Sequence, residues 1–156
     1  MSTPTRKQLI GWRSFVECST VVLDVLDEEL QAEAGLSLSW YDLLVRLEEN
    51  DGMRMNEIAE RILFSKSGLT RMVDRMEEAG LVRRERPADD RRVIRVWMTR
   101  QGTETLRAAR KVHHRGIQRH YLGHLTAADL DAIAAVLWKL EGPLRDLRPG
   151  RITRRP

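Results

Sequence analysis

The sequence predicts a mainly α fold with a small β-hairpin wing, a winged helix-turn-helix flanked by long helices. Three observations predict it. Apolar residues recur at helical spacing over most of the 156 residues. One stretch, residues 81–98, breaks that rhythm with two β-rich runs around a Pro87-Ala88-Asp89-Asp90 tip. Gly35, Asn50-Asp51-Gly52 and Gly80 fall where periodic runs stop, as turns and helix ends require.

From Arg6 to about Ala34 there is no proline, and Leu9, Trp12, Phe15, Val16, Leu23, Leu26 and Leu30 form an apolar stripe. Such a helix is longer than a small core needs, so part of its stripe is expected to meet a partner chain. Gly35 can close it in the left-handed conformation. After a short link, Ser39 can cap a second helix running through Tyr41, Leu43, Leu44 and Leu47. A brief strand at Arg54-Met55 is compatible with the pattern. Met55–Leu63 then reads as a short helix with Ile58, Ala59 and Ile62 inward, followed by a turn at Leu63-Phe64.

The next helix opens at Ser65, whose hydroxyl can serve as N-cap, and stops at Gly80. Leu69, Met72, Val73 and Met76 fall at i, i+3, i+4 and i+7 and give it one apolar face. The opposite face carries Ser67, Gly68, Thr70, Arg71 and Arg75, a small-polar and basic surface suited to a DNA major groove. Leu81–Arg84 and Val93–Met98 are the wing strands, with Ile94, Val96 and Met98 on one face and Arg95 and Trp97 on the other. Thr99 can cap a helix from Gln101 to about Leu122. A last helix from Thr126 carries Leu130, Ile133, Leu137, Leu140 and Leu144, and Pro149-Gly150-Arg151 begins a basic tail expected to be disordered.

Net charge is only +4, but it is unevenly spread. Residues 1–53 hold 4 basic and 10 acidic side chains, residues 54–100 hold 12 and 8, and residues 101–156 hold 11 and 5. An acidic first third beside a basic remainder implies that one surface meets an anion. The N-terminus has no apolar leader core and no long uncharged apolar run exists, which predicts a cytoplasmic chain without a membrane partner. A single cysteine, Cys18, excludes an internal disulfide and a cysteine-based zinc site. No Gly-rich phosphate loop, GxSxG, HExxH or CxxC is present, so an enzyme is not expected.

The stretch IAERILFSKSGLTRMVDRMEEAGLVRR, followed by Asp90-Arg91-Arg92, resembles the MarR family, the regulators named for multiple antibiotic resistance. The family's Asp-x-Arg wing element falls on Asp90 and Arg92, and Met98-Thr99-Arg100-Gln101-Gly102 looks like its strand-to-helix junction. Where members often have a small residue in the turn, this chain has Leu63-Phe64. The resemblance covers most of the chain. It implies a homodimer in which the first, fifth and sixth helices interlock, and two winged helices that bind double-stranded DNA at a pseudo-palindromic site. It implies, more often than not, a repressor relieved by a small-molecule effector. On this reading residues 1–35 form a dimerisation helix, 36–100 the DNA-binding domain, 101–147 further dimerisation helices, and 148–156 the tail.

The residues expected to read DNA are Ser65, Lys66, Ser67, Thr70, Arg71 and Arg75 on the recognition helix. Hydroxyls at a helix start suit phosphates, and an arginine one turn in can reach guanine with both donors. In the wing, Arg92 is expected in the minor groove, and the resemblance suggests that Asp90 orients it. Arg84, Arg86 and Arg91, with Arg83 and Arg95, are expected as phosphate contacts or solvated charge. Family effectors, often aromatic acids or phenols, lodge between the dimerisation helices and the winged domain, where Trp12, Arg13, Trp40, Tyr41 and His113 are candidates. Each of these also fits ordinary core or dimer packing.

Cys18 lies among Val16, Glu17, Ser19, Val21 and Val22 with no base nearby in sequence, which favours a buried inert thiol over a redox sensor. His113, His120 and His124 would share a face if their helix continued that far. Their spacing also suits a solvated helix end, and no matched carboxylates stand out, so neither metal nor cofactor is expected. A metal- or redox-responsive regulator of the same fold, or a winged helix that binds protein, are the readings that remain beside the main one.

Overall fold

A computed structural model describes residues 3–62, 68–86 and 93–147. The expected Leu63-Phe64 turn, the wing tip and the C-terminal tail lie outside the described residues. The elements run α1 (Arg6–Ala34), α2 (Leu38–Glu49), β1 (Met53–Arg54), α3 (Met55–Arg61), α4 (Leu69–Glu78), β2 (Val82–Glu85), β3 (Arg95–Met98), α5 (Arg100–His120) and α6 (Ala127–Leu147). The strands form one antiparallel sheet in the order β1-β3-β2.

Local chemistry explains most boundaries. Thr5 and Gln8 form a reciprocal capping box at the start of α1, and Gly35, at φ +62°, ends it with its N–H on Gln31 O. The cap of α2 is Ser37, not the expected Ser39: its Oγ accepts from the Trp40 N–H at 3.3 Å. Burial of both Leu36 and Leu38 turns the chain inward two residues early. The Asp27 carboxylate accepts the Leu38 N–H at 2.6 Å and ties α2 to α1. The first strand also starts one residue before the expected position, because Gly52, at φ +77°, delivers Met53 opposite Val96 with both side chains in the core.

That core lies between the C-terminal part of α1, α2, α3, α4, the sheet and the first half of α5. Leu30, Leu43, Leu44, Ile58, Val73, Met76, Val96 and Leu106 are among its fully enclosed members. Its boundary is sharp. Within α1 only Leu26 and Leu30 are buried, and among the described residues α6 buries none. Trp12 is 64% exposed and Val136 56%, so both helices carry apolar faces that one chain leaves uncovered.

Cys18 is exposed, contrary to the buried thiol expected. It lines an open apolar groove of about 590 Å³ between α1 and α6, with Phe15, Val22, Tyr121, Ile133 and Val136. Helical periodicity identifies an apolar face without saying whether the chain itself covers it, and here it does not.

The three histidines separate. His113 stacks on buried Tyr41 with ring centroids 4.4 Å apart, and His120 Nε2 lies 2.8 Å from Glu29 Oε1. His124 sits beyond the end of α5 in a short 3-10 turn. Among the described residues no group of three or more His, Cys, Asp or Glu is placed to hold a metal.

These contacts set a pH response. Burial, and then the charge of His114, hold the His113 pKa below its ordinary value of 6.5. Below that value the unfolded chain takes up a proton that the folded chain refuses. Stability is therefore full above it and declines as pH falls toward the folded pKa. The His120 hydrogen bond chiefly depresses the Glu29 pKa, so its contribution disappears in a separate window below the ordinary carboxylate value of 4.5. Denaturant midpoints are expected to fall from about pH 7 to about pH 5, and His113→Phe, which keeps a ring against Tyr41, to flatten that slope. An unchanged slope would assign it to other groups.

Candidate nucleic-acid interface

Helix α4 is amphipathic in the expected sense. Leu69, Val73 and Met76 are buried and Met72 partly so, while Thr70, Arg71 and Arg75 are exposed on the other side. Its described turns begin with Gly68 at the cap position, which offers no side-chain cap. The expected contacts Ser65, Lys66 and Ser67 lie outside the described residues, as do Asp90, Arg91 and Arg92 of the wing. Thr70, Arg71 and Arg75 are thus the three recognition-helix candidates that the structure places together, facing outward from a seated helix.

The described wing arginines divide by strand face. Arg86 is exposed at the end of β2. Arg83 points away from the core, lies 5.5 Å from the Trp97 ring centroid and pairs with Glu85. Arg84 was expected among the solvated or phosphate-binding arginines, and the structure pairs it with acids of α4. Its guanidinium lies 2.7 Å from Asp74 Oδ1 and 2.7 Å from Glu77 Oε2, both on α4. Strand alternation carried the missed signal: Arg84 shares the face of buried Val82, which packs toward α4, whereas Arg83 and Glu85 face outward.

The wing root is fixed to α5 at Thr99. Its Oγ1 lies 2.6 Å from Gly80 O, toward which it donates, and accepts the Gly102 N–H at 2.9 Å. The Thr99 N–H donates to Leu81 O at 3.0 Å, and Gln101 Nε2 to Ala79 O at 3.2 Å. These bonds tie the end of α4, the start of β2 and the first turn of α5 together.

A cavity of about 400 Å³ opens between the start of α2 and α4, lined by Ser37, Ser39, Trp40, Met72, Arg71 and Arg75 among others. Of the expected effector contacts only Trp40 is in its lining. Tyr41 and His113 lie together in the α2–α5 seam, beside Arg110, which pairs with Glu48. Burial, the largest influence, raises the Tyr41 pKa. Trp12 and Arg13 are exposed near the start of α1. Arg71 and Arg75 were expected only as DNA contacts, and their second position on the cavity wall was not foreseen.

A short helix, a second helix with a basic outer face, and a three-stranded antiparallel wing define a winged-helix DNA-binding fold. Residues 34–93 match the model of the MarR family. The chain is 31% identical over 115 residues to the HTH-type transcriptional repressor MdtR of Bacillus subtilis, covering 72% of each chain. It is 30% identical over 100 residues to the transcriptional regulator HosA of Escherichia coli, covering 64% of this chain and 73% of the relative. Among solved structures it is similar to Sco3205 of Streptomyces coelicolor, a MarR family regulator in complex with DNA. That likeness has 31% identity, coverage of 91% of both chains and a TM-score of 0.83. The chain belongs to the MarR family and is a transcriptional regulator with a DNA-binding fold, not an enzyme.

Proposed function

We propose that this chain acts in the cytoplasm as a homodimeric repressor that binds a pseudo-palindromic operator and is released by a small aromatic acid or phenol. The observation that carries the DNA half is α4, whose apolar side is locked in the core while Thr70, Arg71 and Arg75 face out. Ser65, Lys66, Ser67, Arg86, Arg91 and Arg92 would add phosphate and wing contacts, with Asp90 orienting Arg92. The exposed apolar faces of α1 and α6 support the dimer, which two recognition helices need to reach successive major grooves.

The α2–α4 cavity supports the effector half. Trp40 offers a ring to stack on, the Ser37 and Ser39 hydroxyls offer hydrogen bonds, and Arg71 and Arg75 offer charge to an anion. An anion held there would draw on the same two arginines that meet DNA. Effector and operator would then favour different states, and the shift is limited to the effector's difference in affinity for them.

Selection of duplexes from a random pool with the full chain, with and without benzoates and phenols, tests this reading. The expected consensus is an inverted repeat with half-sites about 10 base pairs apart. Affinity should fall steeply with salt, by a slope of about 0.9 per phosphate neutralised. An asymmetric consensus, or binding indifferent to salt, would overturn it.

A further inference from the structure

The contacts of Arg84 go beyond an ion pair on a wing. Its Nη1 bonds Glu77 Oε2 at 2.7 Å, and its Nη2 bonds Asp74 Oδ1 at 2.7 Å and approaches Thr70 O at 3.4 Å. Its own backbone N–H donates to Glu77 Oε1 at 2.7 Å. Thr70, Asp74 and Glu77 lie at i, i+4 and i+7, on successive turns along one edge of α4. One residue of β2 thus grips two turns of the helix that carries Thr70, Arg71 and Arg75. The guanidinium's fixed planar fork makes this possible, since three partners along a helix edge set both distance and angle. The Arg84 side chain is 21% exposed.

We propose that Arg84 is a positioning residue for DNA recognition: it holds the wing at a fixed angle to the recognition helix and does not itself bind phosphate. DNA must meet α4 in the major groove and the wing beside it at the same time, so the angle between them decides whether both contacts form. The sheet pairs β2 with β3, so what Arg84 fixes in β2 is passed to β3. Its Nη1 and Nη2 already bond Glu77, Asp74 and Thr70 within the protein.

The inference rests on the DNA-binding reading, and three variants of the full chain separate them. The probe is a duplex selected from the random pool by the wild-type protein. Arg84→Met is expected to lower affinity about tenfold with the salt slope unchanged, whereas loss of a phosphate ligand would reduce the slope by about 0.9. Arg84→Lys is expected to be as weak as Arg84→Met, because a lysine can meet a phosphate but cannot span Thr70, Asp74 and Glu77. Glu77→Met gives the clearest contrast. It removes a negative charge from the DNA-facing domain, so charge alone predicts tighter binding, while loss of the grip predicts weaker binding. If Glu77→Met does not fold, as judged by circular dichroism, Glu77→Gln takes its place with the same expected direction.

Arg84→Met combined with Glu77→Met should be no weaker than either single change, as for two halves of one interaction. A reduced salt slope, rescue by lysine, or tighter binding on loss of the Glu77 charge would each overturn the assignment. A wild-type chain that binds no duplex overturns the DNA reading itself, and wild-type binding that survives Arg84→Met overturns only the positioning role.

Discussion

Gly102→Ala is expected to destabilise the fold by about 1–3 kcal/mol, a cost typical of overpacking. For a chain of this size that lowers the thermal midpoint by roughly 2–12 °C. The sign is what makes the result informative. In a helix, replacing glycine by alanine ordinarily stabilises by about 0.5–1 kcal/mol, because alanine loses less backbone freedom on folding. Here a Cβ would stand 2.2 Å from Leu81 O and 2.8 Å from Met98 Cγ. The methionine can swing away, but the carbonyl is backbone and accepts the Thr99 N–H. Relief therefore requires the first turn of α5 to separate from the root of β2, which also displaces the wing. Without that clash the helix-propensity gain alone would leave the midpoint at or above that of the wild type. Calorimetry of the variant beside the wild type checks it, and a midpoint for Gly102→Ala at or above the wild-type value would show that the junction yields freely.

The junction was legible in the sequence because its signals are local. Thr99 ahead of an apolar-periodic run reads as an N-cap, and its hydroxyl does accept the Gly102 N–H. The end of α1 and the apolar face of α4 could be read for the same reason, whereas α5, expected to about Leu122, stops at His120. Ser37 and Ser39 show where local signals run out. Either serine could cap α2, and burial of Leu36 and Leu38, contributed by other elements, decided between them. Arg84 shows the same limit for the candidate site. Counting charge placed it among the wing's free arginines, but its partners Asp74 and Glu77 lie in another element. Only the face it shares with Val82 hinted at them. Trp40 and Tyr41 are adjacent in sequence yet end in different surroundings, one on a cavity and one in a seam. Neighbours on a helix point about 100° apart, so a cluster of aromatics in sequence does not make a cluster in space.

Placing a charge in the α1–α6 groove is expected to have the largest functional effect. Phe15 is 52% exposed and Val136 56%, and both line the groove that the proposed partner would fill. Full burial of side chains of this size contributes about 1.5–3 kcal/mol each, and an unpaired carboxylate there would oppose association further. Phe15→Glu or Val136→Glu should therefore yield a monomer at micromolar concentration by light scattering. Neither side chain belongs to the core of the single chain, so the helical circular dichroism spectrum should persist. Loss of the partner removes the second recognition helix, and with it the gain from engaging two half-sites at once. Affinity for the selected operator should fall by about a hundredfold or more, while affinity for a single half-site changes little. That pair of outcomes separates a dimerisation surface from damage to α4 or the wing, which would weaken both duplexes alike. A variant that stays dimeric and binds as before would mean that this groove is not the contact between subunits.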